Sequence, residues 1–201
     1  MNNKLIIIGA GGHAKVIADM ALKSGYELLG FLDDTRVGKV LGEYAVLGKI
    51  NECEKYADKA CFVIGIGNNA VRRRIADKYR LSYATVIHPS AQIALGVTLG
   101  EGTVVMPNAV INSAATVGRH AIVNTAAVVE HDCRLADFVH VSPHATLCGT
   151  VDVGENTHVG AGATVIQQLR ISSDTMVGAG AVVVRDILEA GTYVGVPARK
   201  K

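Results

Sequence analysis

A small parallel α/β unit followed by a long coil of short strands is the fold class this sequence predicts, and two changes of rhythm predict it. From Ile87 onward an aliphatic residue recurs at every sixth position, through Ile93, Leu99, Val105, Ile111, Val117, Val123, Val129, Leu135, Val141, Leu147, Val153, Val159, Val165, Ile171 and Val177 to Val183. Before Ile87 the rhythm is strand, glycine-rich turn and helix, twice over. A helix needs apolar residues at a spacing of about 3.6 and a free-standing sheet at about 2, so a strict period of six fits neither. It fits a triangular coil with one short strand per side and every aliphatic residue pointing to a common axis. Aromatic residues are only 4% with no Trp, while Gly numbers 22, so the core is expected to be Val, Ile, Leu and Ala in regular layers. A Val-rich β-sandwich is the competing source of such a pattern, but its strands would be broken by turns at irregular spacing.

A solenoid leaves open ends, and residues 1–86 can cap one of them. Lys4 to Ile8 reads as an apolar strand, Gly9-Ala10-Gly11-Gly12-His13 as a turn, and Val16, Ile17, Met20 and Ala21 as a helix stopped at Gly25. A second strand around Leu28 to Leu32 ends in Asp33-Asp34. A further strand, Cys61 to Ile64, ends in Gly65-Ile66-Gly67-Asn68-Asn69 and leads into a helix through Arg72, Ile75 and Lys78. Strands alternating with helices imply a small parallel sheet with its ligand site at the carboxyl ends of the strands. The expected organisation is a Rossmann-like unit over 1–86 and the coil with a C-terminal cap over 87–201.

Composition removes several function classes. With 49% hydrophobic and 19% charged residues the chain is globular, and a net charge of +2 with no basic run longer than Arg72-Arg73-Arg74 leaves no footprint for nucleic acid. No apolar stretch approaches the roughly 18 residues of a membrane span. Cys53, Cys61, Cys133 and Cys148 form no CxxC pair, and the sequence opens on a strand pattern in place of a signal segment, so a cytoplasmic protein with reduced thiols is expected.

Two groups of residues carry chemistry. Gly9-x-Gly11-x-x-Ala14 with Asp33 some way downstream matches a loose dinucleotide fingerprint. The unit before the coil has room for one mononucleotide half only. A nucleotide-linked ligand is therefore expected, with Gly11 and Gly12 letting the backbone approach phosphates at a helix N-terminus and Asp33 or Asp34 accepting from ribose or base. A turn kept only for strand-to-helix packing is the plainer reading. The second group is Val129-Glu130-His131-Asp132-Cys133, with His140-Val141-Ser142-Pro143-His144 and Cys148-Gly149 following. Residues between aliphatic anchors face outward, so His131 is expected on a groove or subunit interface. A flanking carboxylate fixes the imidazole tautomer and raises its basicity, as a general base acting on an amine or hydroxyl requires. An imidazole that merely bridges subunits is the plainer reading here. A zinc site from His140 and His158 lacks the three or four converging ligands that zinc needs.

Over nearly its whole length the chain resembles the bacterial sugar O- and N-acyltransferases related to the sialic-acid O-acetyltransferases, and most of all the N-acetyltransferases acting on UDP-4-amino sugars in bacillosamine synthesis. The segments that carry the resemblance are Gly9-Ala10-Gly11-Gly12-His13, Phe31-Leu32-Asp33-Asp34, Ile66-Gly67-Asn68-Asn69, Ile87-His88, Asn124-Thr125, Val129-Glu130-His131-Asp132-Cys133, Phe138-Val139-His140-Val141-Ser142 and Val194-Gly195-Val196-Pro197-Ala198-Arg199. The resemblance implies a left-handed parallel β-helix of hexapeptide repeats with 18 residues to a rung, so that Gly149 stacks on His131 and His158 on His140. It implies a homotrimer with sites between subunits, acetyl-CoA as co-substrate, no metal, and a nucleotide-sugar acceptor held by the first unit.

Carried over by position, His131 is the general base, Asp132 its orienting acid and Gly149 the oxyanion donor. Gly11, Gly12, His13, Asp33, Asp34, Gly67, Asn68, Asn69 and Asn124 would meet the nucleotide sugar. The CoA would meet His140, Gly149, Ala161, Gly162, Gly178, Gly180 and Arg199, with Lys200 also available to its phosphates. Direct transfer to a 4-amino nitrogen is the expected reaction. An O-acetyltransferase on sialic acid or another sugar hydroxyl, and a non-catalytic trimer that binds nucleotide sugar, are the alternatives. A ping-pong route through Cys133 or Cys148 carries less weight, since Cys is commonly buried as a small hydrophobe.

Overall fold

A computed structural model describes residues 3–201. The first unit holds β1 (Lys4–Ile8), α1 (Gly12–Lys23), β2 (Glu27–Leu32), β3 (Val40–Leu41), β4 (Tyr44–Gly48), a 3-10 segment Ile50–Tyr56, β5 (Cys61–Ile64) and α2 (Asn69–Lys78). The sheet order is β3-β4-β2-β1-β5, parallel except for the β3–β4 hairpin. β1 lies at the centre of the core, with Leu5 to Ile8 fully buried on both faces, as a near-continuous apolar run in a parallel sheet requires. α1 lies close against it because Gly65, at the end of β5, has no side chain: a Cβ there would meet Ala14 Cβ at 2.8 Å and Ile7 Cγ2 at 2.7 Å.

From Val86 the chain winds into a left-handed coil of three parallel faces. The first face opens with Val86–Ile87, the second with Gln92–Ile93 and the third with Thr98–Leu99. Each strand pairs in register with the strand one rung on, Val105 with Val123 and Val123 with Val141, which is 18 residues to the rung. The aliphatic series points inward and alternates with the small residues Ala109, Ala115, Ala121, Ala127, Cys133, Ala145, Ala163 and Ala181, all buried in one cluster. The predicted period is thus the period of the coil itself. At the far end Gly191–Val194 continues the first face and turns back as an antiparallel strand, Arg199–Lys200.

The corners add a feature that the periodicity does not reveal. The second residue of each corner has left-handed backbone, with φ between 52° and 62° at Asn108, Ala114, His120, Ala126, Asp132, Phe138, His144, Thr150, Asn156, Gln168 and Asp174. The N–H of that residue donates to a carbonyl of the preceding rung, as from Ala114 to Leu95, Asp132 to Ser113 and Thr150 to His131.

The first unit sits on the first face. Val86, Val104 and Met106 share a buried cluster with Ala14, Ile17 and Ala21 of α1. Ser24 Oγ donates to Ile87 O at 2.6 Å, and Asn69 Nδ2 donates to Asn156 O and Thr157 O at 3.1 Å. Among the described residues no helix is long and apolar enough to cross a membrane.

Candidate active site

Three groups of residues gather on this frame. The first is the corner between the second and third faces. There Asp132 Oδ2 lies 2.8 Å from His131 Nδ1, and both side chains are exposed. A carboxylate only accepts, so Nδ1 carries the proton, and in the neutral imidazole Nε2 is left with its lone pair. The ring covers Gly149, one rung on: a Cβ there would stand 2.6 Å from both Nε2 and Cε1. The N–H of Gly149 makes no hydrogen bond among the described residues, whereas its carbonyl accepts from Gln168 N at 3.0 Å. Glu130 lies beside the pair and accepts from His131 N at 3.3 Å.

The second group lies where the first unit meets the first face. Gly11 caps α1 without a side chain, and a Cβ at Gly11 or Gly12 would meet nothing within 4 Å, so the helix N-terminus opens onto space. The Gly67-Asn68-Asn69 turn opens α2, with Asn68 Oδ1 accepting from Val71 N at 3.0 Å. Gly67, Asn68 and Asn69 line a cleft of about 680 Å³ with His140, His158 and Met176. Here the structure refines the expectation for His140. Its ring is not on the open surface but 7% exposed, and both nitrogens are engaged, Nε2 by Asn124 Nδ2 at 3.0 Å and Nδ1 by Gly67 O at 3.3 Å. Burial, then the charges of His158 and Arg72, hold its pKa at about 3, and burial with Arg72 holds His13 at about 4. His13 lies 6.3 Å from His140 between ring centroids, and its Nε2 is buried without a hydrogen-bond partner among the described residues.

Asp33 also has partners within the chain. Its carboxylate accepts from Ala10 N (2.8 Å), Thr35 N (2.9 Å) and Thr35 Oγ1 (2.8 Å), so it ties the glycine turn to the end of β2. Burial opposes its ionisation, but the hydrogen bonds from Thr35 and Ala10 outweigh that and hold its pKa below the ordinary value. Asp34 accepts from Ile50 N at 3.0 Å at the edge of a separate cleft of about 490 Å³.

The third group is the corner between the first and second faces. Register stacks Asn124, Ser142, Gly160 and Gly178 in one column there, with Ala161, Gly162 and Gly180 exposed beside it. Three rung spacings make the column roughly 14 Å long. It begins at Asn124 and is therefore continuous with the second group. Arg199 is exposed on the closing hairpin, and Lys200 there is paired with Glu189 at 2.9 Å.

His140 and His158 do stack, 4.5 Å between centroids, but His158 Nε2 is 2.7 Å from Ser142 Oγ, and no group of three or more metal-ligating side chains occurs among the described residues. Cys133 is fully buried, donates to Cys148 O at 3.2 Å, and burial raises its pKa, so it has no thiolate character. Sequence reasoning passed over Arg72. It sits at the same helical spacing as the buried Asn69 and Ile75, a signal that it faces inward, and it is 1% exposed.

Known proteins share this frame. The PglD N-terminal domain family matches residues 4–79. The acetyltransferase domain of PglB from Neisseria gonorrhoeae is 39% identical, covers 100% of both chains and superposes with a TM-score of 0.95; it has also been solved in complex with acetyl coenzyme A. A GDP-perosamine N-acetyltransferase variant from Caulobacter crescentus, in complex with CoA and GDP-perosamine, is 38% identical over 98% of this chain and 96% of its own, with a TM-score of 0.94. The UDP-N-acetylbacillosamine N-acetyltransferase of Bacillus subtilis is 42% identical over 103 residues, 48% of this chain and 48% of that protein. Uncharacterized protein L142 of Acanthamoeba polyphaga mimivirus is 31% identical over 97 residues, 48% of this chain and 20% of its own. The chain thus spans half or less of the length of these curated relatives. Identity near two residues in five, held from end to end together with the fold, means that this chain belongs to the hexapeptide-repeat sugar N-acyltransferase family.

Proposed function

We propose that the protein transfers the acetyl group of acetyl-CoA to the 4-amino group of a UDP-linked amino-dideoxy sugar, with His131 as general base. The observation that carries the reading is the corner where Asp132 holds Nδ1–H and leaves the Nε2 lone pair over the bare backbone of Gly149. The amine nitrogen adds to the thioester carbonyl as Nε2 takes its proton, and the oxyanion is met by Gly149 N–H. Collapse of the intermediate breaks the C–S bond, and the imidazolium returns the proton to the departing sulfur, giving CoA thiol and the amide. No acyl-enzyme is needed, and the buried, hydrogen-bonded thiol of Cys133 supports that.

The open N-terminus of α1 at Gly11 and Gly12 would take the diphosphate, with Asp34, His13, the Gly67–Asn69 turn and Asn124 around base and sugar; Asp33 would act by shaping the turn. The CoA arm would run down the column from Asn124 to Gly178 past Ala161, Gly162 and Gly180, with His140 behind the thioester and Arg199 toward the phosphates. The names of the Bacillus and Caulobacter relatives support an amino-sugar acceptor, and the Bacillus relative's name favours UDP over GDP. His131 and the α1 turn lie on different edges of one chain, so we take the working unit to be a homotrimer with each site between two subunits, and its place to be the cytoplasm.

The test is release of CoA thiol from acetyl-CoA with UDP-4-amino-4,6-dideoxy-N-acetylglucosamine, GDP-perosamine or a plain sugar hydroxyl as acceptor. Turnover with the UDP amino sugar, lowered by about 10² to 10⁴ in His131→Ala, is expected. Acetylation of the hydroxyl acceptor alone would replace this reading with the O-acetyltransferase. Binding without turnover would leave the non-catalytic trimer.

A further inference from the structure

Arg72 is a cation buried to 1% exposure, and its five hydrogen bonds all go to neutral oxygens. Nε donates to His120 O at 2.7 Å, Nη2 to Phe138 O at 2.8 Å and Asn69 Oδ1 at 3.1 Å, and Nη1 to Ile66 O and Gly67 O, both at 3.2 Å. No carboxylate pairs with it among the described residues. An apolar side chain of similar volume could fill the same space between α2 and the coil, but it would leave the carbonyls of Ile66, Gly67, His120 and Phe138 without this donor. What an apolar side chain could not do is direct carbonyls.

Gly67 O is shared between Arg72 Nη1 and His140 Nδ1. The partners of the next residue settle where the proton of His140 lies. Thr125 N donates to Asn124 Oδ1 at 2.8 Å, so the amide presents its NH2 to His140 Nε2, which must accept. His140 is therefore the Nδ1–H tautomer donating to Gly67 O, and one network runs from α2 through the turn and the coil to Asn124 at the head of the column.

We infer that Arg72 is a positioning residue for acetyl transfer: by holding the carbonyl of Gly67 under Nδ1–H it completes, opposite the Asn124 amide at Nε2, the clamp that fixes the tautomer and orientation of His140. The inference rests on the reading that Asn124 and His140 border the reacting groups. Lysine keeps the charge but offers one nitrogen where arginine spreads three, so it cannot span the Ile66–Gly67 carbonyls and the coil together.

The experiment compares the full-length wild type with Arg72→Lys and Arg72→Met. Long-range ¹H–¹⁵N spectra of ¹⁵N-histidine protein, with the His140 signal assigned by His140→Gln, report the tautomer, and steady-state kinetics report turnover. A single Nδ1–H tautomer in the wild type, a mixture in Arg72→Lys, and kcat lowered about 10²-fold with KM for acetyl-CoA little changed are expected, as for a small misplacement in a site built on orientation. An unchanged His140 tautomer in Arg72→Lys would overturn the inference, as would a mixed tautomer with full kcat. Should Arg72→Met not fold, Arg72→Lys alone decides. The tautomer needs no substrate, so it judges Arg72 independently, whereas a wild type inert toward every amino sugar overturns the functional reading and the kinetic half of this inference together.

Discussion

Gly149 has no side chain where the His131 ring lies, and this gives the most local prediction. Its φ is not in the left-handed region, so alanine suits the backbone, but the new Cβ would stand 2.6 Å from Nε2 and Cε1. The ring is on an exposed side chain and can swing away, so Gly149→Ala is expected to keep its thermal unfolding within a few degrees and lose about 10²-fold in turnover. Undiminished turnover with an intact fold would remove Gly149 from the site. Sequence alone could pair these residues because His131 and Asp132 are neighbours and Gly149 is one rung away. It could not show that Asp33 ties Ala10 to Thr35, since that depends on how the turn closes on β2. Nor could it show what Arg72 holds, because its carbonyl partners His120 and Phe138 lie 48 and 66 residues away.

At the scale of elements, the six-residue period names the strands but not the corners. The left-handed position is filled by Gly96, Gly102, Gly162 and Gly180 and elsewhere by Asn, Ala, His, Asp, Phe, Thr and Gln, with no single residue type to read. What holds it is the hydrogen bond to the rung before, a contact between distant residues. The helix α1 shows the same limit: Val16, placed by its spacing on the apolar face, is 41% exposed, because the buried stripe centres on Ala14, Ile17, Ala18 and Ala21.

The junction between first unit and first face buries histidines as neutral rings, with pKa values of about 4 at His13 and His120 and about 3 at His140, each lowered chiefly by burial. In the unfolded chain they titrate near 6.5. The unfolded state thus binds more protons below that pH, and the stability these rings confer is present above pH ~6.5 and lost as pH falls toward ~4. Each contributes a slope on the order of 1 kcal/mol per pH unit in that window. His120 lies parallel to Phe138 and edge-on to Tyr83, and Phe138 itself occupies the equivalent left-handed position one rung on, so His120→Phe suits both ring and backbone. Urea unfolding from pH 7.5 to 5 should be flatter in His120→Phe than in the wild type. Equal slopes would mean that His120 is protonated in the native state.

For the whole molecule, the two rhythms of the sequence made the architecture legible because a solenoid repeats one packing rule and a parallel sheet another. Which surfaces come together between chains is not written in either rhythm. The outward column of the second face, Val110, Val128, Thr146, Thr164 and Val182, is β-branched and half-buried within one chain, while Arg134, Asp152 and Arg170 on the third face are exposed and charged. The second face is the better candidate for subunit contact. It also separates the His131 corner from the column headed by Asn124, and the proposed trimer has a neighbouring subunit bridge them. This predicts complementation. His131→Ala removes the base, and Gly12→Asp places a negative charge at the α1 N-terminus, where a side chain meets nothing within 4 Å and the fold tolerates it. Each variant alone should be inactive, the second by repelling the diphosphate. Co-expressed at equal levels, they should recover about a quarter of wild-type turnover, because each site draws one half from each of two subunits chosen at random. No recovery in verified mixed trimers would place both halves of the site within a single chain.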